Sequence, residues 1–331
     1  MGNLTTPGAR EAGKGAAPSL DPRAKLTTLR QRLEGVLLGK ADVIRLSLVG
    51  LLARGHLLVE DVPGVGKTTL ARALARLIAC EFRRIQFTPD LLPSDITGVS
   101  VFDQEKKVFV FQPGPIFGNI ILADEINRTS PRTQSALLEA MNDLQVTVDG
   151  MSHPLRTPFM VIATQNPLEF TGTYPLPESQ LDRFLMKIQV GYPSHDQERR
   201  ILAERKANDP VEGLSPVLTS AEVDQLAERV KAVRVDQAIV DYMLSLVEKT
   251  RQDAALVAGV SPRGGIFLYR ATQALAYVEG REYAVPDDVK TLAVPVLAHR
   301  VIERSRRSLM DGRAGALGVV QRVLEQVPAP Q

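Results

Sequence analysis

Asp61-Val62-Pro63-Gly64-Val65-Gly66-Lys67-Thr68-Thr69 decides the fold, because of what stands on either side of it. Before it runs the strand-like His56-Leu57-Leu58-Val59-Glu60, and after it the helical Leu70-Ala71-Arg72-Ala73-Leu74-Ala75. A strand, a glycine turn and a helix in that order gather backbone N–H groups around one point, at the positive end of the helix dipole. That arrangement cradles phosphate. Lys67 adds a point charge for the β- and γ-phosphates of a nucleotide, and the Thr68 hydroxyl is placed to ligate Mg²⁺. Asp61 stands where the usual motif opens with glycine. A turn-opening aspartate can instead cap backbone N–H groups nearby.

Further short apolar runs at Arg84–Phe87, Ile120–Ala123 and Phe159–Ala163 alternate with helical segments. That rhythm predicts an α/β fold, a mostly parallel sheet covered on both faces. Ile120-Ile121-Leu122-Ala123-Asp124-Glu125 is a buried-type strand ending in two acids. Its C-terminal edge lies beside the phosphate loop, where ligands collect in such sheets. Asp124 is then a holder of Mg²⁺, and Glu125 the base that polarises an attacking water. A third strand, Met160-Val161-Ile162-Ala163-Thr164, leads to Gln165-Asn166-Pro167 and places Asn166 to sense a γ-phosphate or orient that water. Together these residues predict a Mg·ATP site and ATP hydrolysis.

Two segments interrupt the rhythm. Between Gly98 and Gly114, Val99, Val101, Val108 and Val110 alternate around Asp103-Gln104-Glu105-Lys106, which reads as an inserted β-hairpin. Leu144–Val148 and Leu155–Phe159 flank Asp149-Gly150 and read as a second one. After Gly191-Tyr192-Pro193 the pattern is helical: Gln197–Arg205, Ser220–Val230, Asp236–Thr250, Arg263–Val278 and Pro286–Ala293. Ser220 reads as a helix cap, and Val285-Pro286-Asp287-Asp288 as another helix start. The basic run Arg300–Arg307 reads as a solvated helix face.

The 331 residues suffice for two domains, since single cores rarely grow beyond about 250–300 residues. Residues 1–24 are expected to form a flexible tail, 25–192 the nucleotide-binding core, 193–311 a helical domain and 312–331 a C-terminal helix or tail. With 40 basic and 38 acidic residues the chain carries no charge footprint for nucleic acid or membrane. The single cysteine, Cys80, excludes intramolecular disulfides and any cysteine-cluster metal site; it reads as a packed small hydrophobe. No run approaches the roughly 20 apolar residues of a membrane span, and no signal pattern opens the chain, so a cytoplasmic location is expected.

With these residues in place the chain resembles the AAA+ superfamily, and within it the MoxR family, from about Leu33 to Arg304. The resemblance rests on Glu60–Thr69, on Asp124-Glu125-Ile126-Asn127-Arg128 with Thr133–Met141, and on Ala163-Thr164-Gln165-Asn166-Pro167. Gly172-Thr173-Tyr174-Pro175-Leu176-Pro177-Glu178 and Gln180-Leu181-Asp182-Arg183-Phe184 carry it further, whereas Thr129-Ser130-Pro131 departs slightly. The family commonly has Asp at the position of Asp61. The resemblance implies a five-stranded parallel AAA+ core with the two hairpins as insertions, an all-helical lid, and a homo-oligomeric ring, usually hexameric. It implies that Arg183 is the finger arginine serving a neighbouring chain's ATP and that Arg263 is the lid arginine on the chain's own. The same resemblance implies that Glu60, Thr69 and the region around Gly39 and Ile44 line the nucleotide pocket less directly. It further implies a chaperone-like role in assembly or metal-cofactor insertion, with protein clients that include von Willebrand factor A-domain proteins. Two other classes remain: a nucleic-acid motor, and a nucleotide-gated scaffold with little turnover.

Overall fold

A computed structural model of the chain describes residues 21–167, 172–204, 209–304 and 309–330. The proposed tail falls almost wholly outside them. The first helix, α1 (Pro22–Val36), starts where Asp21 accepts from the Arg23 N–H and proline occupies the first turn. α2 (Ala41–Leu52) follows, then β1 (Leu57–Glu60), α3 (Lys67–Leu77) and β2 (Phe82–Gln86). The short α4 (Pro93–Thr97) leads into the first hairpin, β3 (Gly98–Asp103) and β4 (Val108–Pro113). β5 (Ile120–Asp124) and α5 (Pro131–Asp143) precede the second hairpin, β6 (Gln145–Val148) and β7 (Met151–Pro154). β8 (Met160–Gln165), α6 (Glu178–Leu181) and β9 (Met186–Ile188) complete the first half.

Strands β1, β2, β5, β8 and β9 form one parallel sheet in the order β2-β5-β8-β1-β9. Alternation assigns each strand residue to a face. Leu57, Val59, Ile120, Leu122, Met160 and Ile162 join α1, α2 and α3 in the larger core. Leu58, Ile121, Ala123, Val161 and Ala163 meet α5 and Phe184 on the other side. Both faces are therefore dry, as a parallel sheet requires. The three-residue β9 is too short to be read from its own pattern, and the sequence anticipated it only through the family resemblance. In the second hairpin the return strand is Met151–Pro154, not Leu155–Phe159, because a two-residue turn at Asp149-Gly150, both at positive φ, brings the chain straight back. Phe111 of the first hairpin stacks on His153 of the second at 3.9 Å, so the two insertions touch.

Beyond Tyr192 come α7 (His195–Glu204), α8 (Ser220–Lys231), α9 (Gln237–Gln252), α10 (Pro262–Val278), α11 (Pro286–Leu297) and α12 (Leu309–Gln326). Thr219, not Ser220, caps α8: its Oγ1 accepts from the Glu222 N–H, and Glu222 accepts from the Thr219 N–H. The helices are joined by a small antiparallel ribbon of β10 (Leu256–Ala258) and β11 (Ile302–Glu303). α8 and α10 pack back onto α2 and share its core. No helix among the described residues is long and apolar enough to cross a membrane.

Candidate nucleotide site

The phosphate loop begins as a continuation of the sheet. The Asp61 N–H donates to the Gln165 carbonyl at 3.1 Å, one step beyond the Glu60–Gln165 register of β1 and β8. The Asp61 carboxylate then does what a glycine could not. Oδ1 accepts from the Val62 N–H at 2.9 Å, and Oδ2 from the N–H groups of Val190 and Gly191 at 2.7 and 2.6 Å. The loop is thereby tied to the exit of β9, where the chain leaves the core for the helices. Gly64 and Gly66 have φ of +84° and +103°, and Gly66 caps α3 with no side chain bonded to the first-turn N–H groups. By elementary helix geometry, first-turn N–H groups without a side-chain cap are available to an anion. Pro63 and Gly64 are exposed and Val65 is buried, while Thr68 and Thr69 lie half-buried in the first turn of α3. Lys67 Nζ folds back over the loop onto the carbonyls of Asp61 (2.9 Å) and Val62 (3.2 Å). The segment before α2 leans on the same place: a Cβ at Gly66 would lie 3.4 Å from Leu37.

The acidic pair stands two strands away on the same sheet edge. Asp124 ends β5; its Oδ1 accepts from Thr164 Oγ1 at 2.7 Å and its Oδ2 from Arg84 Nη2 at 2.7 Å. Glu125 is in the left-handed region at φ 59°, ψ 50°, and its N–H donates to the same Thr164 Oγ1 at 2.9 Å. One hydroxyl therefore fixes both acids. Glu125 Oε2 accepts from Gln86 Nε2 and from Arg128 Nη1, each at 2.9 Å. Asn166, buried, follows β8 directly. Asp61, Asp124, Glu125 and Asn166 thus leave three adjacent strands at one edge.

Arg84, Gln86, Arg128 and Thr164 form a supporting shell that the sequence reading missed. Gln86 lies opposite Asp124 in the β2–β5 register, but a glutamine at a strand end carries no signal until strand order is known. Thr164, at the end of its strand, carries no role of its own in the sequence.

The two predicted arginines have different partners. Arg183 follows α6 and rests on α5: Nη1 donates to the Leu138 carbonyl at 2.8 Å. With its amide oxygen turned inward, Asn142 accepts from Nε at 3.2 Å and Nη1 at 3.0 Å. A cleft of about 320 Å³ opens there, lined also by Ser135, Glu139, Asp143 and Gln180. Arg263 is the second residue of α10, half-exposed, with Nη1 3.8 Å from Asp182 Oδ2.

Arg300 corrects the reading of the basic run. Its side chain is wholly buried, and Nε donates to Asp182 Oδ1 at 3.1 Å. Its Nη groups donate to the carbonyls of Phe184, Leu185 and Val296, and the guanidinium lies 5.0 Å over the Phe267 ring. Burial pushes its pKa down to about 10, against the opposing pull of the Asp182 charge. Gly264 makes room for it, since a Cβ there would come within 2.9 Å of Arg300 Cδ. Arg304 is spent on the carbonyls of Ala254 and Leu256, at 3.2 and 3.3 Å. Residues 305–307 lie outside the described residues. The pattern of Arg300–Arg307 fits a solvated helix face, and sequence gives no view of carbonyls turned inward.

This fold and this strand edge are those of a phosphate-loop ATPase of the AAA type. Residues 56–186 match the family model described as ATPase family associated with various cellular activities (AAA), and residues 248–316 match the AAA lid domain. Uncharacterized protein YeaC of Bacillus subtilis (strain 168) is 50% identical over 300 residues, 91% of this chain and 93% of that protein. Chaperone MoxR1 of Mycobacterium tuberculosis is 39% identical over 348 residues, covering 100% of this chain and 91% of its own. A crystal structure from Cytophaga hutchinsonii superposes with a TM-score of 0.83 at 35% identity, over 94% of this chain and 96% of that one. The chain belongs to the MoxR family of AAA+ ATPases.

Proposed function

We propose that the chain binds Mg·ATP on the Asp61–Thr69 loop and hydrolyses it to ADP and phosphate. The observation that carries this reading is the Thr164 hydroxyl, which holds the Asp124 carboxylate and the Glu125 backbone together at the sheet edge beside the loop. The residues fit the group. Two glycines at positive φ and an uncapped helix start suit a phosphate, Lys67 supplies a cation, and a hydroxyl with a carboxylate is a hard-oxygen pair suited to Mg²⁺. Thr68 and Asp124 would hold Mg²⁺, which would supply charge neutralisation for the phosphates. Glu125 accepts the proton of the water that attacks the γ-phosphorus, and Asn166 orients that water. Arg263 meets the nucleotide of its own chain.

Arg183 serves a neighbouring copy in a ring, a hexamer by family resemblance. Its partners on α5 rather than at Asp124 or Glu125 support a role outside its own site. The work of the ring is remodelling or activating a protein client in a chaperone-like manner, as the relative named Chaperone MoxR1 suggests. A von Willebrand factor A-domain protein is the client class to try first, and metal-cofactor insertion is one form the work could take. A cytoplasmic site of action completes the proposal. The experiment is nucleotide binding and phosphate release by wild type beside Lys67→Ala. Wild type is expected to bind ATP and release phosphate, and the variant to lose most of its ATP affinity. Equal binding by both would remove the loop from the site.

A further inference from the structure

Asp182 joins parts of the molecule that no single helix or strand explains. It lies between α6 and β9, and its carboxylate faces the lid. Ser261 Oγ, the cap of α10, donates to it at 3.1 Å, and Arg300 Nε does so at 3.1 Å. Arg263 Nη1 lies 3.8 Å from its second oxygen.

The two arginines are held unequally. Arg300 is buried and satisfies several inward-facing carbonyls, so withdrawing it would strand them. Arg263 is 48% exposed and meets the carboxylate only at the outer limit of ion pairing, so it can exchange partners at little cost. Asp182 therefore has one permanent cation, which fixes its orientation, and one exchangeable cation. The next residue, Arg183, is bonded to α5 through Leu138 and Asn142. A single peptide unit connects the first turn of α10 to α5.

We propose that Asp182 is a positioning residue that competes with the γ-phosphate for Arg263, so that nucleotide in one site is sensed at the Asp182-Arg183 joint. The proposal rests on Arg263 meeting the nucleotide of its own chain. On losing Arg263 to a γ-phosphate, Asp182 keeps Arg300 and Ser261, so the lid end of the joint loses one of its three contacts while its α5 end stays bonded.

The test is a double-mutant cycle on binding, with a non-hydrolysable ATP analogue and with ADP. Asp182→Asn keeps one acceptor oxygen, at the Oδ1 position that both Arg300 and Ser261 reach, but removes the charge. It is expected to tighten the analogue about three- to fivefold, the size of an exposed ion pair, and to leave ADP unchanged. Arg263→Ala is expected to weaken the analogue, and adding Asp182→Asn to it should change nothing further. If Asp182→Asn moves ADP and analogue alike, or acts equally in the Arg263→Ala background, Asp182 is structural and the proposal fails. If Arg263→Ala leaves analogue affinity intact, it is the reading of Arg263 that fails instead. Should Asp182→Asn not fold, Asp182→Ser takes its place in the cycle. Failure of both to fold also overturns the proposal, because the charge would then belong to Arg300 alone.

Discussion

Asp61 Oδ2 accepts the Gly191 N–H at 2.6 Å across 130 residues of chain, joining the first residue of the phosphate loop to the start of the segment that leads into the lid. Lys40 reinforces the same junction from the other side, its Nζ donating to the carbonyls of Gly191 and Tyr192 at 3.0 and 2.8 Å. The loop and the lid connection are therefore one mechanical unit.

Restoring the usual glycine should consequently harm the protein. Asp61→Gly removes a carboxylate that accepts from three backbone N–H groups, those of Val62, Val190 and Gly191. Bonds to a charged group contribute about 1.5–3 kcal/mol each, and partial rescue by water offsets some of this. A loss of about 2–4 kcal/mol is expected, seen as a melting midpoint lower by about 5–10 °C. An unchanged midpoint would show that the aspartate is only tolerated.

Thr164→Val keeps shape and deletes the shared hydroxyl. The Glu125 N–H loses its acceptor, and Asp124 loses a donor. An orphaned buried donor costs about 1–3 kcal/mol. The expected result is a several-fold rise in the Mg²⁺ concentration needed for half-maximal turnover, with ATP affinity in the absence of Mg²⁺ unaltered. A normal Mg²⁺ response would detach Thr164 from the proposed metal site.

These two residues mark how far the sequence was legible. The order of apolar runs and glycine turns announces the sheet, the loop and the acid-bearing strand, because each depends on local periodicity. Thr164 and Gln86 matter only once β5 is seen to lie between β2 and β8, a fact of strand order. Arg300 misled for a related reason: its burial depends on carbonyls of residues 184 and 185, far away in the chain.

Gln86 restrains Glu125 by occupying Oε2, together with Arg128. Gln86→Ala should raise basal ATP turnover about fivefold, the value of one hydrogen bond of about 1 kcal/mol, without changing ATP affinity. A fall in turnover would mean that Gln86 holds Glu125 in its productive position.

His56 predicts a pH dependence. It is buried, its Nδ1 accepts the Val161 N–H at 3.0 Å, and its Nε2 therefore donates to the Met141 carbonyl at 3.0 Å. Burial lowers its pKa to about 4 from 6.5. The unfolded chain takes up this proton below about pH 6.5 and the folded chain only near 4, so stability is full above 6.5 and falls across that window. The loss reaches about 3 kcal/mol at the lower end. Chemical denaturation between pH 6.5 and 4.5 should show a shallower slope in His56→Gln than in wild type. Parallel slopes would assign the acid sensitivity to other groups.

Hydrolysis at the strand edge is tested most directly by Glu125→Gln, assayed for ATP binding and phosphate release side by side with wild type. The variant keeps the size of the side chain and removes the carboxylate proposed to take the water's proton. It is expected to bind Mg·ATP as tightly as wild type while phosphate release falls by about 10²-fold or more, the usual worth of a general base. Phosphate release at the wild-type rate would place the chemistry elsewhere and contradict the assignment of Asp124 and Glu125.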